Sequence, residues 1–196
     1  MTRTGFQVFV LLIIFSGAAA SSSLEDCRIA EPQQKIDACT SIIESGSMSG
    51  SNLGIIYNNR GTGYYLQGEY HLAIRDYDRA LSLNPADSLA YYNRGQSHNQ
   101  LGEYTSAVAD HTAAIRIDPS DGEFYSDRGL SYQCLGEFDR SLSDFENYFR
   151  LSGSARVRIW QQYLADVGLY NGAVDGDYGS GTRGAMRDWM TAYSCE

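Results

Sequence analysis

Between residues 54 and 151, small, aromatic and charged positions return with a constant period of 34 residues. Arg60-Gly61, Arg94-Gly95 and Arg128-Gly129 stand in strict register, as do Gly68-Glu69-Tyr70, Gly102-Glu103-Tyr104 and Gly136-Glu137-Phe138. Within the first unit Tyr57, Tyr64, Tyr77 and Leu81 follow helical spacing, and Gly61, Ala73 and Ala80 let two helices approach closely. The spacing predicts one helix ending near Gly68. It predicts a second ending at Asn84-Pro85, where proline pushes the preceding residue out of the helical region. Asp118-Pro119 repeats that stop one unit later. A period of this length marks helix-turn-helix units that bury their apolar sides only by stacking. Three units are expected, at 54–87, 88–121 and 122–151.

Residues 24–46 are read as a degenerate hairpin preceding the array. Pro32 opens a helix carrying Ile36, Cys39, Ile42 and Ile43 on one stripe, and Gly46 stops it. The small polar run Ser45 to Ser51 is the loop into the first full unit. After Leu151 a fresh helix is expected, with Ser154 as N-cap, Val157, Trp160, Leu164 and Val167 on its buried side, and Gly168 at its end. A glycine-punctuated loop follows, and Ser180 or Thr182 opens a last helix bearing Ala185, Trp189 and Met190. The expected class is therefore all-α, with a small domain at 154–196 behind the array. Ser152-Gly153 is too short for a free tether, so that domain should dock. The helix after Ser154 has two apolar rows, one with Val157, Trp160, Leu164 and Val167, the other with Ile159 and Tyr163. One is expected to serve its own domain and the other to cover Leu142, Phe145 and Phe149.

The repeated residues resemble the tetratricopeptide repeat family. That resemblance implies that the first helix of each unit lines a concave groove holding a protein or peptide partner. The groove candidates are Asn58, Asn59, Tyr65, Tyr92, Asn93, Gln96, Asn99 and Asp127. Amides and tyrosines suit the backbone of an extended peptide. No lysine or arginine falls at these positions, so an acidic C-terminus is not the expected ligand. Gln161, Leu164, Gly168, Tyr170, Gly172, Val174-Asp175-Gly176, Tyr178-Gly179, Thr182, Ala185 and Trp189 resemble the three-helix peptidoglycan-binding domain of bacterial cell-wall proteins. That resemblance implies peptidoglycan as a partner, with Tyr170, Asp175, Tyr178, Thr182 and Arg183 as contact candidates. Trp160, where leucine is usual, and Met190, where glutamine is usual, depart from it.

The first 20 residues carry Arg3, an apolar run from Phe6 to Phe15 and small residues at Ala18 and Ala20, the layout of a cleaved secretory signal. Cleavage near Ser21 would place the protein in the periplasm or outside the cell and change the formal charge from −9 to −10. An acidic chain disfavours nucleic acid and anionic membranes, and no membrane contact is expected after cleavage. Export favours disulfides. Cys27 and Cys39 flank the turn of the first hairpin and are expected to pair. Cys134 and Cys195 would then tie the array to the terminal domain.

Arg60, Arg94 and Arg128 recur with Asp76, Asp110 and Asp144, always 16 residues later. We read them as hydrogen-bonded charge pairs across each hairpin. His71, His98 and His111 fall at different repeat positions and do not converge, so no metal or other cofactor is expected. No hydrolase, metalloprotease or phosphate-loop motif occurs, and no enzyme activity is expected. The expected role is a non-catalytic exported adaptor. An accessory that targets a separate wall hydrolase, or an envelope protein whose terminal module only caps the array, are the alternatives.

Overall fold

The computed structural model describes residues 19–193 together with Cys195. The expected signal segment lies almost wholly outside them. Ten helices and no strand occur among the described residues. Helices α1 (Ala19–Ile29) and α2 (Pro32–Ser45) form a hairpin that precedes three more: α3 (Gly50–Leu66) with α4 (Tyr70–Leu83), α5 (Ser88–Gln100) with α6 (Tyr104–Ile117), and α7 (Gly122–Cys134) with α8 (Phe138–Ser152). Helices α9 (Ser154–Asp166) and α10 (Ser180–Ala192) complete the chain. Each hairpin packs on the next, which is the solenoid the period requires.

The first hairpin is held by a Cys27–Cys39 disulfide with a Cα–Cα distance of 4.9 Å. Both cysteines are fully buried. Lys35, the sole lysine of the chain, is buried there, and its ammonium donates to the carbonyls of Cys27 and Arg28. Those carbonyls belong to the last turn of α1, where unsatisfied acceptors and the negative end of the helix dipole favour a cation.

The recurring arginine does more than close its own hairpin. Arg60 donates from Nε and Nη2 to the two carboxylate oxygens of Asp76 at 2.7 and 2.8 Å. Arg94 does the same to Asp110, and Arg128 to Asp144. The remaining nitrogen, Nη1, reaches back to the preceding hairpin: to Thr40, Asp78 and Thr112 in turn. Each guanidinium also lies 5.5–5.7 Å from the ring centre of the tyrosine three residues before it, Tyr57, Tyr91 and Tyr125. A rigid five-donor fork on an aromatic face can join two units at once, which lysine cannot do. Arg94→Ala leaves Asp110, 5% exposed, without its cation. It is expected to cost about 2 kcal/mol, below the range for a fully buried pair because the arginine keeps some solvent contact. A thermal midpoint equal to wild type would refute this account.

One residue after each arginine, a glycine admits a ring from the partner helix. A Cβ at Gly61 would lie 2.7 Å from Cε1 of Tyr77, one at Gly95 2.7 Å from Cε1 of His111, and one at Gly129 3.2 Å from Cε2 of Phe145. His111 therefore occupies the position of a buried aromatic core residue. Gly61→Ala gains about 1 kcal/mol of helix propensity but overpacks a close contact at a cost of about 1–3 kcal/mol. The expected net result is a lower unfolding midpoint in urea with unchanged slope.

Two expectations are corrected at the joint with the terminal domain. Gly153, with φ of 79°, stands between α8 and α9, and Ser154 is the first helical residue and makes no side-chain cap bond. The row that meets the array is Val157, Trp160 and Leu164, while Ile159 and Tyr163 are 61% and 41% exposed. Val157 and Leu164 share one core with Leu142, Phe145 and Phe149 of α8 and with Ala185, Met186 and Met190 of α10. Trp160 sits 5.9 Å from Phe145 and 5.2 Å from Trp189, edge to face. A single row serves both purposes because α8 and α10 meet it together. The two departures from the peptidoglycan-binding pattern, Trp160 and Met190, both lie in this shared core.

Candidate functional site

The first helices α3, α5 and α7 line the concave face, and its polar side chains are cross-linked. Asn93 donates to Oδ1 of Asn58 at 3.0 Å. Gln96 donates to the Tyr92 hydroxyl at 2.9 Å and to Oδ2 of Asp127 at 3.1 Å. Ser131 donates to Oδ1 of Asn99 at 2.8 Å. Asn59 lies apart, toward the first hairpin, with its amide 3.9 Å from Sγ of Cys27. The Tyr92 ring packs on Phe124 and on His111, so it belongs as much to the core as to the groove.

Toward its C-terminal end the groove deepens into a cavity of about 500 Å³. Tyr65, Gln96, Asn99 and Asp127 line it, joined by Tyr104 and by Leu130, Ser131 and Gln133 of α7. The far wall comes from the terminal domain: Trp189, Tyr193 and Cys195. Two ties hold that wall. Cys134 is bridged to Cys195, and Nε2 of the buried Gln133 donates to the carbonyls of Tyr193 and Met190. Repeat periodicity does not reach Trp189 and Tyr193. The signal that could have found them is the cysteine pairing, since Cys134 lies on the concave side and brings the tail with it.

Burial shapes the chemistry here. It pushes the Asp127 carboxyl above its ordinary range, against the hydrogen bond from Gln96. Burial, and secondly the nearby Asp127 charge, raise the Tyr92 hydroxyl strongly. His111, fully buried, is held down to about 3 by burial and then by the Arg128 charge. It stays neutral in the folded state while the unfolded chain takes up its proton near the ordinary value of 6.5. Stability should therefore fall as pH drops from about 6.5 toward 3. Because Tyr77 and Phe145 fill the same position, His111→Phe is expected to flatten that acid limb in thermal melts across pH.

The terminal domain is organised by Gln161, which is fully buried. Its Nε2 donates to Oδ1 of Asp175 at 2.9 Å, the Asp177 carbonyl at 3.0 Å and Oγ1 of Thr182 at 3.1 Å. Its Oε1 accepts from the Gly176 N–H at 2.9 Å. This single amide gathers the loop between α9 and α10. Thr182 is thereby 1% exposed and is not a surface contact. The Tyr178 ring lies 4.9 Å from Phe149, and its hydroxyl is buried in the joint. Arg183 is partly engaged by Glu146 of α8 at 2.8 Å. Of the five candidates, Asp175 and Arg183 are exposed and Tyr170 and Tyr178 half-buried, the Tyr170 hydroxyl donating to the Ala173 carbonyl at 2.9 Å.

Among the described residues no three His, Cys, Asp or Glu side chains gather as a metal site, and no helix is long and apolar enough to cross a membrane. Residues 58–122 match the family model described as "Tetratricopeptide repeat", and residues 153–191 the one described as "Putative peptidoglycan binding domain". Among solved structures, the second tetratricopeptide domain of Spaghetti (RPAP3), bound to the HSP90 peptide SRMEEVD, is 30% identical with a TM-score of 0.51, covering 52% of this chain and 94% of that one. The second such domain of human RPAP3, in complex with the HSP70 peptide SGPTIEEVD, is also 30% identical, at a TM-score of 0.51, over 52% and 86% of the two chains. MamA, 24% identical, superposes with a TM-score of 0.57 over 62% of this chain and 68% of its own, a likeness of fold. No curated protein matches the chain.

Proposed function

The chain belongs to the tetratricopeptide repeat family and ends in a peptidoglycan-binding-like domain, and from that premise we propose that it is an exported, non-catalytic adaptor. Its groove holds an extended segment of a protein partner, and its terminal domain contacts peptidoglycan. The observation that carries the first half is the concave face itself, lined by amides and tyrosines and deepening into a walled cavity. The relatives bound to HSP90 and HSP70 peptides support a peptide as the class of ligand. Their peptides are acidic, however, and no lysine or arginine lines this cavity.

Support for the wall contact comes from the family match over the terminal domain. The exposed surface that supports it carries Asn171, Val174, Asp175 and Asp177 of the loop together with Arg183 of α10. The buried disulfide Cys27–Cys39 and the Cys134–Cys195 bridge fit an oxidising compartment. Co-sedimentation of the full chain with purified sacculi tests the wall contact. Recovery in the pellet, lost on adding soluble muropeptides, is the expected result. A chain that stays in the supernatant would leave the terminal domain as a cap for the array alone. The intact chain is the proper probe, because α9 and α10 share their core with α8.

A further inference from the structure

The cavity at the closed end of the groove holds one carboxylate, Asp127, and no lysine or arginine. Among the described residues no cation forms an ion pair with Asp127, and its hydrogen-bond donors are neutral, the amide of Gln96 and the hydroxyl of Tyr92. A carboxylate drawn out of water without a cation is costly, as the upward shift of its proton affinity reflects. The rings of Tyr65, Tyr104, Trp189 and Tyr193 line the same cavity.

The site thus offers one negative charge and aromatic faces, and it supplies no positive charge of its own.

We propose that this end of the groove is a recognition pocket for a cationic side chain, lysine or arginine, carried on an extended peptide. The proposal rests on the peptide-groove reading above and narrows it. The ammonium or guanidinium would pair with Asp127 and lie against the aromatic rings, two contacts that each favour a cation over an acid or an aliphatic group. Trp189 and Tyr193 come from the terminal domain, so the array alone does not contain the pocket.

The test uses the full, oxidised chain against an immobilised random dodecapeptide library. Captured peptides enriched in lysine or arginine at one position are the expected result. A captured set with no such enrichment, or one rich in acidic residues, would overturn the cationic pocket and leave the peptide groove standing. Failure to capture any peptide would overturn both. For a captured basic peptide, replacing its enriched lysine or arginine by norleucine should weaken binding at least tenfold in fluorescence anisotropy. Asp127→Asn, which keeps a hydrogen-bonding group for Gln96, should weaken the basic peptide by a similar factor without lowering the thermal midpoint. Equal affinity for the norleucine peptide would also overturn the assignment.

Discussion

Ending the chain at Gly153 is expected to collapse the last repeat and drive the remainder into aggregates. The deletion strips the partners from Leu142, Phe145 and Phe149, which are 0%, 0% and 2% exposed in the intact protein. Uncovering a leucine and two phenylalanines forfeits about 1.5–3 kcal/mol each, so the loss is about 5 kcal/mol or more. That is comparable to the whole stability of an ordinary domain. The uncovered residues also form one contiguous apolar face, which terminal repeats of solenoids normally keep polar. The deletion should be made with Cys134→Ser, so that an unpaired thiol does not confuse the outcome. Light scattering and a thermal melt check it. A monomer melting where the full chain does would mean that the two parts are independent.

Gln161→Leu is expected to have the next largest effect. Leucine matches the volume but abolishes four hydrogen bonds, leaving the Gly176 N–H and Thr182 without the group that joins them. Exposed Asp175 and Asp177 can turn to water, whereas the buried groups cannot. The cost is therefore set by the buried share, about 3 kcal/mol. For a chain of this size it corresponds to a fall of about 6–12 °C in Tm. The loop between α9 and α10 should open first. Amide exchange of residues 170–179 would then accelerate ahead of the array, and unchanged protection there would refute the role given to Gln161.

Both effects act on one joint, and this bears on the proposed adaptor. Trp160, Trp189 and Met190 are packed or bonded against α7 and α8, so the exposed loop of the terminal domain is held at a set angle to the groove. A partner in the groove would be presented in a fixed orientation to whatever the loop contacts. No flexible linker averages that geometry, because Gly153 alone separates α8 from α9.

Much of the molecule is legible along the chain because its order is local. A 34-residue period is a one-dimensional signal. Each unit repeats the same small, aromatic and charged positions, so the hairpins, their stops and the arginine–aspartate pairs follow from spacing alone. The Cys27–Cys39 bridge is equally local. What the spacing cannot carry is any contact between unrelated segments. The Thr182 hydroxyl is engaged by Gln161, 21 residues earlier, inside a helix that begins at Ser180. Which row of α9 faces the array depends on α8 and α10 arriving at the same side. Trp189 and Tyr193 reach the groove because Gln133 and Cys134 draw α10 across its end, a juxtaposition spanning about 60 residues of chain. Local periodicity thus determined the solenoid, and tertiary packing alone decided that its groove ends in a walled, acidic cavity.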